Sequence, residues 1–272
     1  MGDRWPPARR RPVAALGRLS LLLLGLLATG CAARGFVRPV GAAVPVPAAE
    51  SDSIWQDAIR ACADIRTFNA EVRPSGRVAG SRVRGVTMNV AVSHTGSIGI
   101  EAIAATQTVF LLKGVTDRAI LLLPSENRVV TAPASEILGA YLGLETDPGR
   151  LLAIFSGCIT TTRQARRVER IGETVRVETP DAVVYLRQGE SGWRPVAGEF
   201  DDLLVDYRRV EADRPVTIGL RTTAGRQPAV DLSLSVRDAV LNSDLPAEAF
   251  TIAVPPGAVD TPVADLRVLG SE

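Results

Sequence analysis

The sequence is poor in the residues from which most catalytic centres are built: 272 residues hold one histidine and three cysteines. A metal or hydrolytic site needs several converging titratable groups, so one histidine leaves little to assemble. Three cysteines are too few for a small disulfide scaffold. Aromatic residues make up 4% of the chain. There is also no excess of either charge, with 31 Lys and Arg against 30 Asp and Glu. Without the first 30 residues, which hold Arg4, Arg9, Arg10, Arg11, Arg18 and Asp3, 26 basic and 29 acidic side chains remain. A phosphate backbone is neutralised by a basic surface, so this balance argues against nucleic acid as a partner. What the chain does have is apolar material, 46% of it, enough for one sizeable core.

The N-terminus is the most specific feature. Met1 to Arg18 is basic, Leu19 to Leu27 is almost wholly apolar, and Ala28-Thr29-Gly30 precedes Cys31. This is the order of a secretory signal. The apolar stretch Leu19 to Ala33 has 15 residues, whereas a bilayer span needs about 20. Leu27-Ala28-Thr29-Gly30-Cys31 resembles the lipobox of bacterial lipoproteins. That resemblance implies cleavage before Cys31, a diacylglyceryl group on its sulfur, and a protein held on a membrane through its acyl chains. It further implies a location facing the periplasm or cell exterior, on the outer membrane where one exists, since Ala32 is not the retention signal Asp. An ordinary signal peptide with a chance cysteine is the alternative.

Residues 1–30 thus read as a lipoprotein signal peptide and 31–50 as a Pro- and Ala-rich tether, with Pro39, Pro45 and Pro47 and no period. Residues 51–272 read as one domain. Ser53-x-x-Gln56 opens a helix with Ile54, Ala58, Cys62 and Ile65 on one face. From Phe68 the period changes to two: Val86, Met88, Val90 and Val92 alternate with polar or small residues, as do Ile98, Ile100 and Ala102 beyond the turn His94-Thr95-Gly96. Val109 to Leu112 and Ala119 to Leu123 are apolar at both parities, which predicts strands in the middle of the sheet, covered on both faces. Ala134 to Leu144 and Gly149 to Cys158 have helical spacing behind Pro133 and Pro148. Strands then resume, with a two-residue turn at Gly172-Glu173 and the cleanest alternation in Val216, Ile218, Leu220 and Val230, Leu232, Leu234, Val236. Eleven to thirteen short strands with few helices predict a mainly β fold, an antiparallel meander curling into a barrel with the helices against its concave face. A two-sheet sandwich is the alternative.

Cys62 lies on the first helix's apolar stripe and Cys158 at the third helix's end. In an oxidising compartment they are expected to form a disulfide closing a loop of about 96 residues. The alternative is two buried thiols.

The order of helix, long strand opening at Phe68-Asn69-Ala70-Glu71-Val72, hairpins, helical insert and further hairpins resembles the LolA and LolB family of lipoprotein carriers and receptors. So does Asp244-Leu245-Pro246-Ala247-Glu248-Ala249-Phe250-Thr251-Ile252 followed by Pro255-Pro256-Gly257. The resemblance implies an unclosed half-barrel lidded by helices, an apolar strand in that closing segment, and a cleft for acyl chains of lipids or lipoproteins, with a role in lipoprotein sorting or lipid transfer. Alternation nominates Val72, Met88, Val90, Ile100, Phe110, Leu122, Ile218 and Leu232 as cleft-lining residues, although the strands of any barrel alternate in this way and plain core is the readier reading of each.

Other local patterns carry little chemistry. His94 sits in a turn, Gly189-Glu190-Ser191-Gly192 fits a hairpin better than a nucleophile elbow, and Glu199, Asp201 and Asp202 lack calcium-loop spacing. Arg163, Arg166, Arg167 and Arg170 form a basic cluster, read as a solvated strand face. No metal or cofactor is implied, and no enzymatic activity is expected. The functions left are a membrane-anchored lipoprotein that binds acyl chains or, alternatively, a structural or assembly lipoprotein of the envelope without a ligand.

Overall fold

A computed structural model of the chain describes residues 36–60, 62–159, 164–212, 214–223 and 229–266. The signal segment, Cys31 and Arg163 lie outside them. The elements run in the order β1 (Val44–Pro45), α1 (Ala48–Arg60), β2 (Thr67–Val78), β3 (Ser81–Val83), β4 (Val86–Ser93), β5 (Ser97–Ala104), β6 (Gln107–Val115), β7 (Arg118–Leu123) and β8 (Arg128–Ala132). The helices α2 (Ala134–Leu142) and α3 (Pro148–Ser156) follow. The chain then continues through β9 (Arg167–Ile171), β10 (Thr174–Glu178), β11 (Val183–Gly189), β12 (Gly192–Phe200), β13 (Leu203–Glu211), β14 (Arg214–Thr222), β15 (Val230–Leu241) and β16 (Val259–Asp260).

All sixteen strands belong to one sheet, and its order explains its shape. Two meanders, β9 to β15 and β4 to β8, are joined through β2, which pairs with β15 on one side and β4 on the other. The outermost strands are β1 beside β9 and β16 beside β8; among the described residues no pairing closes the ring. The half-barrel is therefore open, as expected, and not a two-sheet sandwich. Because β8 and β9 sit near opposite edges, the connection carrying α2 and α3 must pass across the concave side. That connection is the lid.

Local sequence accounts for the strands. In β2, Phe68, Ala70 and Val72 are buried while Asn69 and Arg73 are exposed; in β15, Val230, Leu232, Leu234 and Val236 are buried and Asp231, Ser233 and Ser235 only half so. Period-two alternation puts one set on the core face and the other on the outer face. Gly76 in β2 has φ +139°, and a Cβ there would run into the Asp231 carbonyl of β15, so only glycine fits this close crossing.

Several expectations need correction. The first helix starts at Ala48, not Ser53, after Pro47 ends the preceding extended stretch, so Ser53 lies inside it. Ser51 bonds back to the Val46 carbonyl at 3.1 Å. Part of the segment read as tether is docked on the sheet: Val44 and Pro45 pair with Arg170 and Glu169, Arg38 forms a 2.7 Å ion pair with Glu199, and the Phe36 ring lies 4.8 Å from that of Tyr185. β6 and β7 are not central but stand near one edge. The C-terminal segment lies on the outer face of β5 and β6, where Lys113 Nζ donates to the Glu248 carbonyl and Gly99 leaves no room for a Cβ against Ala249. Thr251 to Val254 joins no ladder; the pairing strand is β16, which blunts the exposed edge of β8.

Candidate functional site

The lid helices are short and amphipathic, and their ends are set by local chemistry. Asp147 caps α3, its Oδ1 accepting from the Arg150 amide at 2.9 Å, and Pro148 occupies the first turn. Gly143 and Gly157 terminate α2 and α3 in the left-handed conformation, with φ +67° and +78°. Ile137, Leu138 and Tyr141 of α2 and Leu151, Ile154 and Phe155 of α3 are buried. Phe155 stacks on Phe68 of β2 at 5.3 Å, and Tyr141 meets Phe110 of β6 edge-on at 5.2 Å. Tyr207 of β13 donates from its hydroxyl to the Ile154 carbonyl at 3.0 Å. Burial pushes the Tyr207 hydroxyl well above its ordinary pKa, and burial with the nearby Glu126 charge raises Tyr141 to about 12. Both phenols stay neutral donors under any physiological condition.

Two spaces flank α3. On its inner side, a seam of about 50 Å³ runs between lid and sheet, lined only by apolar side chains. Its floor includes Pro74, Val78 and Val83, Met88, Val90 and Ile100, and Leu220, Leu232 and Leu234. Its roof is Leu138, Leu142 and Leu144 with Leu151 and Phe155. On the other side, between α1 and α3, lies a groove of about 360 Å³ bounded by Ile59, Ile65, Leu152 and Ala153, with Gln56, Arg60 and Ser156 as polar members. The Cys62–Cys158 disulfide forms part of its wall, Cα to Cα 5.5 Å, and fastens the end of α3 to that of α1. Thus α3 is a partition one helix thick between a groove open to solvent and a dry seam.

Four of the eight nominated residues, Met88, Val90, Ile100 and Leu232, line the seam. Val72, Phe110 and Ile218 are fully buried in the same core but do not line it. Leu122 is a correction: Leu121 and Leu123 belong to the core, so alternation turns Leu122 to the outer face, opposite Leu111. Sequence reasoning passed over the roof, Leu138, Leu142, Leu151 and Phe155. Their spacing of four residues, on α2 and again on α3, is the signal for a shared face.

The other candidates are spoken for. His94 is exposed in its turn, its Nδ1 3.2 Å from the Arg66 carbonyl. Glu190 and Ser191 occupy the two-residue turn between the paired Gly189 and Gly192. Burial pushes the Glu199 carboxyl up, but hydrogen bonds from Arg38 and Tyr185 outweigh it and hold the group below the usual carboxylate range. Asp201 pairs with Arg150 at 3.2 Å. Arg167 and Arg170 pair with Glu169 and Glu50, and Arg170 also lies over the Trp193 ring. Among the described residues no three His, Cys, Asp or Glu side chains could hold a metal ion, and no helix is long and apolar enough to cross a membrane.

No protein-family model and no curated protein matches the chain. Among solved structures, it is similar to a DUF1329 family protein from Desulfovibrio piger, at 10% identity over 74% of this chain and 97% of that one, with a TM-score of 0.48. It is also similar to lipoprotein LppX from Mycobacterium tuberculosis, at 13% identity over 74% of this chain and 99% of that one, with a TM-score of 0.31. A LolA superfamily protein from Nitrosomonas europaea is similar at 15% identity over 76% of this chain and 98% of that one, with a TM-score of 0.47.

Proposed function

We propose that this protein is a membrane-tethered lipoprotein whose lidded sheet holds acyl chains, of lipids or of other lipoproteins, and passes them on without chemical change. The observation that carries the reading is the seam: fourteen side chains from sheet and lid meet there with no polar group among them. Water gains nothing in such a space, whereas each Å² of hydrocarbon that leaves water is worth about 25 cal/mol. The seam is closed at about 50 Å³, against roughly 300 to 1,000 Å³ for ligand sites in general. Accommodating an acyl chain therefore requires the lid to move away from the sheet and widen the seam. The glycines that end α2 and α3 allow such a movement without breaking a helix.

The small volume also favours a second reading, an envelope lipoprotein whose sheet is plugged and whose surface engages other proteins. One experiment separates the two. Native full-length protein is extracted with organic solvent and titrated with the fluorescent fatty acid cis-parinaric acid. Acyl binding predicts co-purified lipid and saturable fluorescence, and Leu232→Asp in the floor abolishes both. Absence of lipid and of fluorescence in the wild type leaves only the plugged scaffold.

A further inference from the structure

One side of β2 carries a gap in its pairing, and the gap is flanked by an unusual set of charges. β2 pairs with β4 from Thr67 to Val72 and with β3 from Gly76 to Val78. Between these ladders, Arg73, Pro74 and Ser75 face no paired residues of the Arg84 to Thr87 stretch, and Pro74 has no N–H to donate. On the core side of the gap lies the apolar seam, reached by Pro74, Val83 and Met88. On the outer side lies a cleft of about 660 Å³ lined by Arg77, Arg82, Arg84 and Arg208 with Asp231, Ser75 and Ser233. Val83 lines both.

Of the four arginines of this cleft, one is held in an ion pair. Arg208 is committed to Asp206 at 2.7 Å, and Asp231 leans towards Arg221 at 3.7 Å. Arg77, Arg82 and Arg84 have no ion-pair partner within 4.0 Å among the described residues, and Arg77 stands between Arg82 of β3 and Asp231 of β15 in its two ladders. Like charges directly opposite on neighbouring strands destabilise a hairpin. An anion seated between them removes that repulsion, and guanidinium forks match the oxygens of a phosphate group.

We propose that this cleft binds the phosphate of a lipid headgroup while the acyl chains of the same lipid lie in the seam, so that the preferred cargo is an anionic phospholipid. The inference rests on the acyl-binding reading. The arrangement matches an amphiphile: hydrocarbon on the core side of the sheet, charge on the outer side, and Val83 bordering both.

The test compares two fluorescent probes with identical acyl chains, a phosphatidic acid and a diacylglycerol, on the full-length protein. The wild type should bind the phosphatidic acid on the order of tenfold or more tightly, with the preference shrinking as salt is raised. The triple variant Arg77→Gln, Arg82→Gln, Arg84→Gln should lose the preference and keep its affinity for the diacylglycerol, and the corresponding triple Lys variant should recover part of it. Equal binding of both probes by the wild type, or a preference that survives in the Gln variant, would overturn the headgroup site while leaving acyl binding intact. Failure to bind either probe would overturn acyl binding and the headgroup site together. Inorganic phosphate alone distinguishes the sources: a headgroup site binds it at least about a hundredfold more weakly than the phosphatidic acid, and comparable affinity would overturn the lipid assignment.

Discussion

At the scale of single residues, the lid is held by groups whose state depends on burial. Tyr207 and Tyr141 are the two phenols beneath it, and both are pushed above the ordinary phenol pKa, Tyr141 to about 12. In the unfolded chain each loses its proton near pH 10. Between pH 10 and 12 the folded chain thus binds more protons than the unfolded one, and its stability falls as pH rises. Stability to urea should be unaffected by titration of these tyrosines at pH 8 and markedly lower at pH 11. In Tyr141→Phe the alkaline loss should be reduced with little change at pH 8. In Tyr207→Phe a further cost of about 1 kcal/mol should appear at every pH, because the Ile154 carbonyl keeps the Gly157 amide but loses its shorter hydrogen bond. An identical pH 8 to pH 11 difference in the wild type and Tyr141→Phe would contradict this account.

Among elements, the disulfide and the docked N-terminal segment decide how the lid is mounted. Joining Cys62 to Cys158 closes a loop across 96 positions, which on the chain-entropy relation stabilises the fold by about 4 to 5 kcal/mol. The double variant Cys62→Ser, Cys158→Ser should lose stability of that order in urea unfolding. With α3 untied from α1, bound cis-parinaric acid should also dissociate several-fold faster. A double variant with wild-type stability would show that side-chain packing alone holds α3. The elements also show how far local pattern reaches. Alternation located the hairpins around Gly96, Gly172 and Gly189, because a half-buried strand writes its two faces directly into the chain. It misplaced β6 and β7, because burial on both faces looks the same whether the cover is another layer of the centre or a C-terminal segment laid over the edge. Leu122 was misread for the same reason.

For the whole molecule, the tether and the half-barrel make one functional argument. If Cys31 carries a diacylglyceryl group, the domain acts at a membrane surface, where the acyl chains it would accept are concentrated. Metabolic labelling with a radioactive fatty acid should mark the wild type and not Cys31→Ser, and the variant should appear in the soluble fraction while the wild type sediments with membranes. An unlabelled wild type would remove the anchor from the picture. It would leave the seam untouched, since none of its lining residues lies before Pro74.

The sequence by itself determined the period-two strands and the two proline-led helices, which rest on neighbours a few residues apart, and it raised the expectation of a Cys62–Cys158 bond that the structure contains. Only the tertiary structure decided that α3 divides a groove from a dry seam, that Met88 and Leu232 line that seam while Val72 and Ile218 are simply packed, and that Arg77 confronts Arg82 beside a gap in the ladder. The first two facts depend on which strands become neighbours across a hundred residues or more and on how closely the lid settles on them, the third on how the β2–β3 hairpin displaces β4 from part of β2. Such distances are set by the closing of the sheet, and the alternation of any one strand is the same whether the space above it is filled or empty.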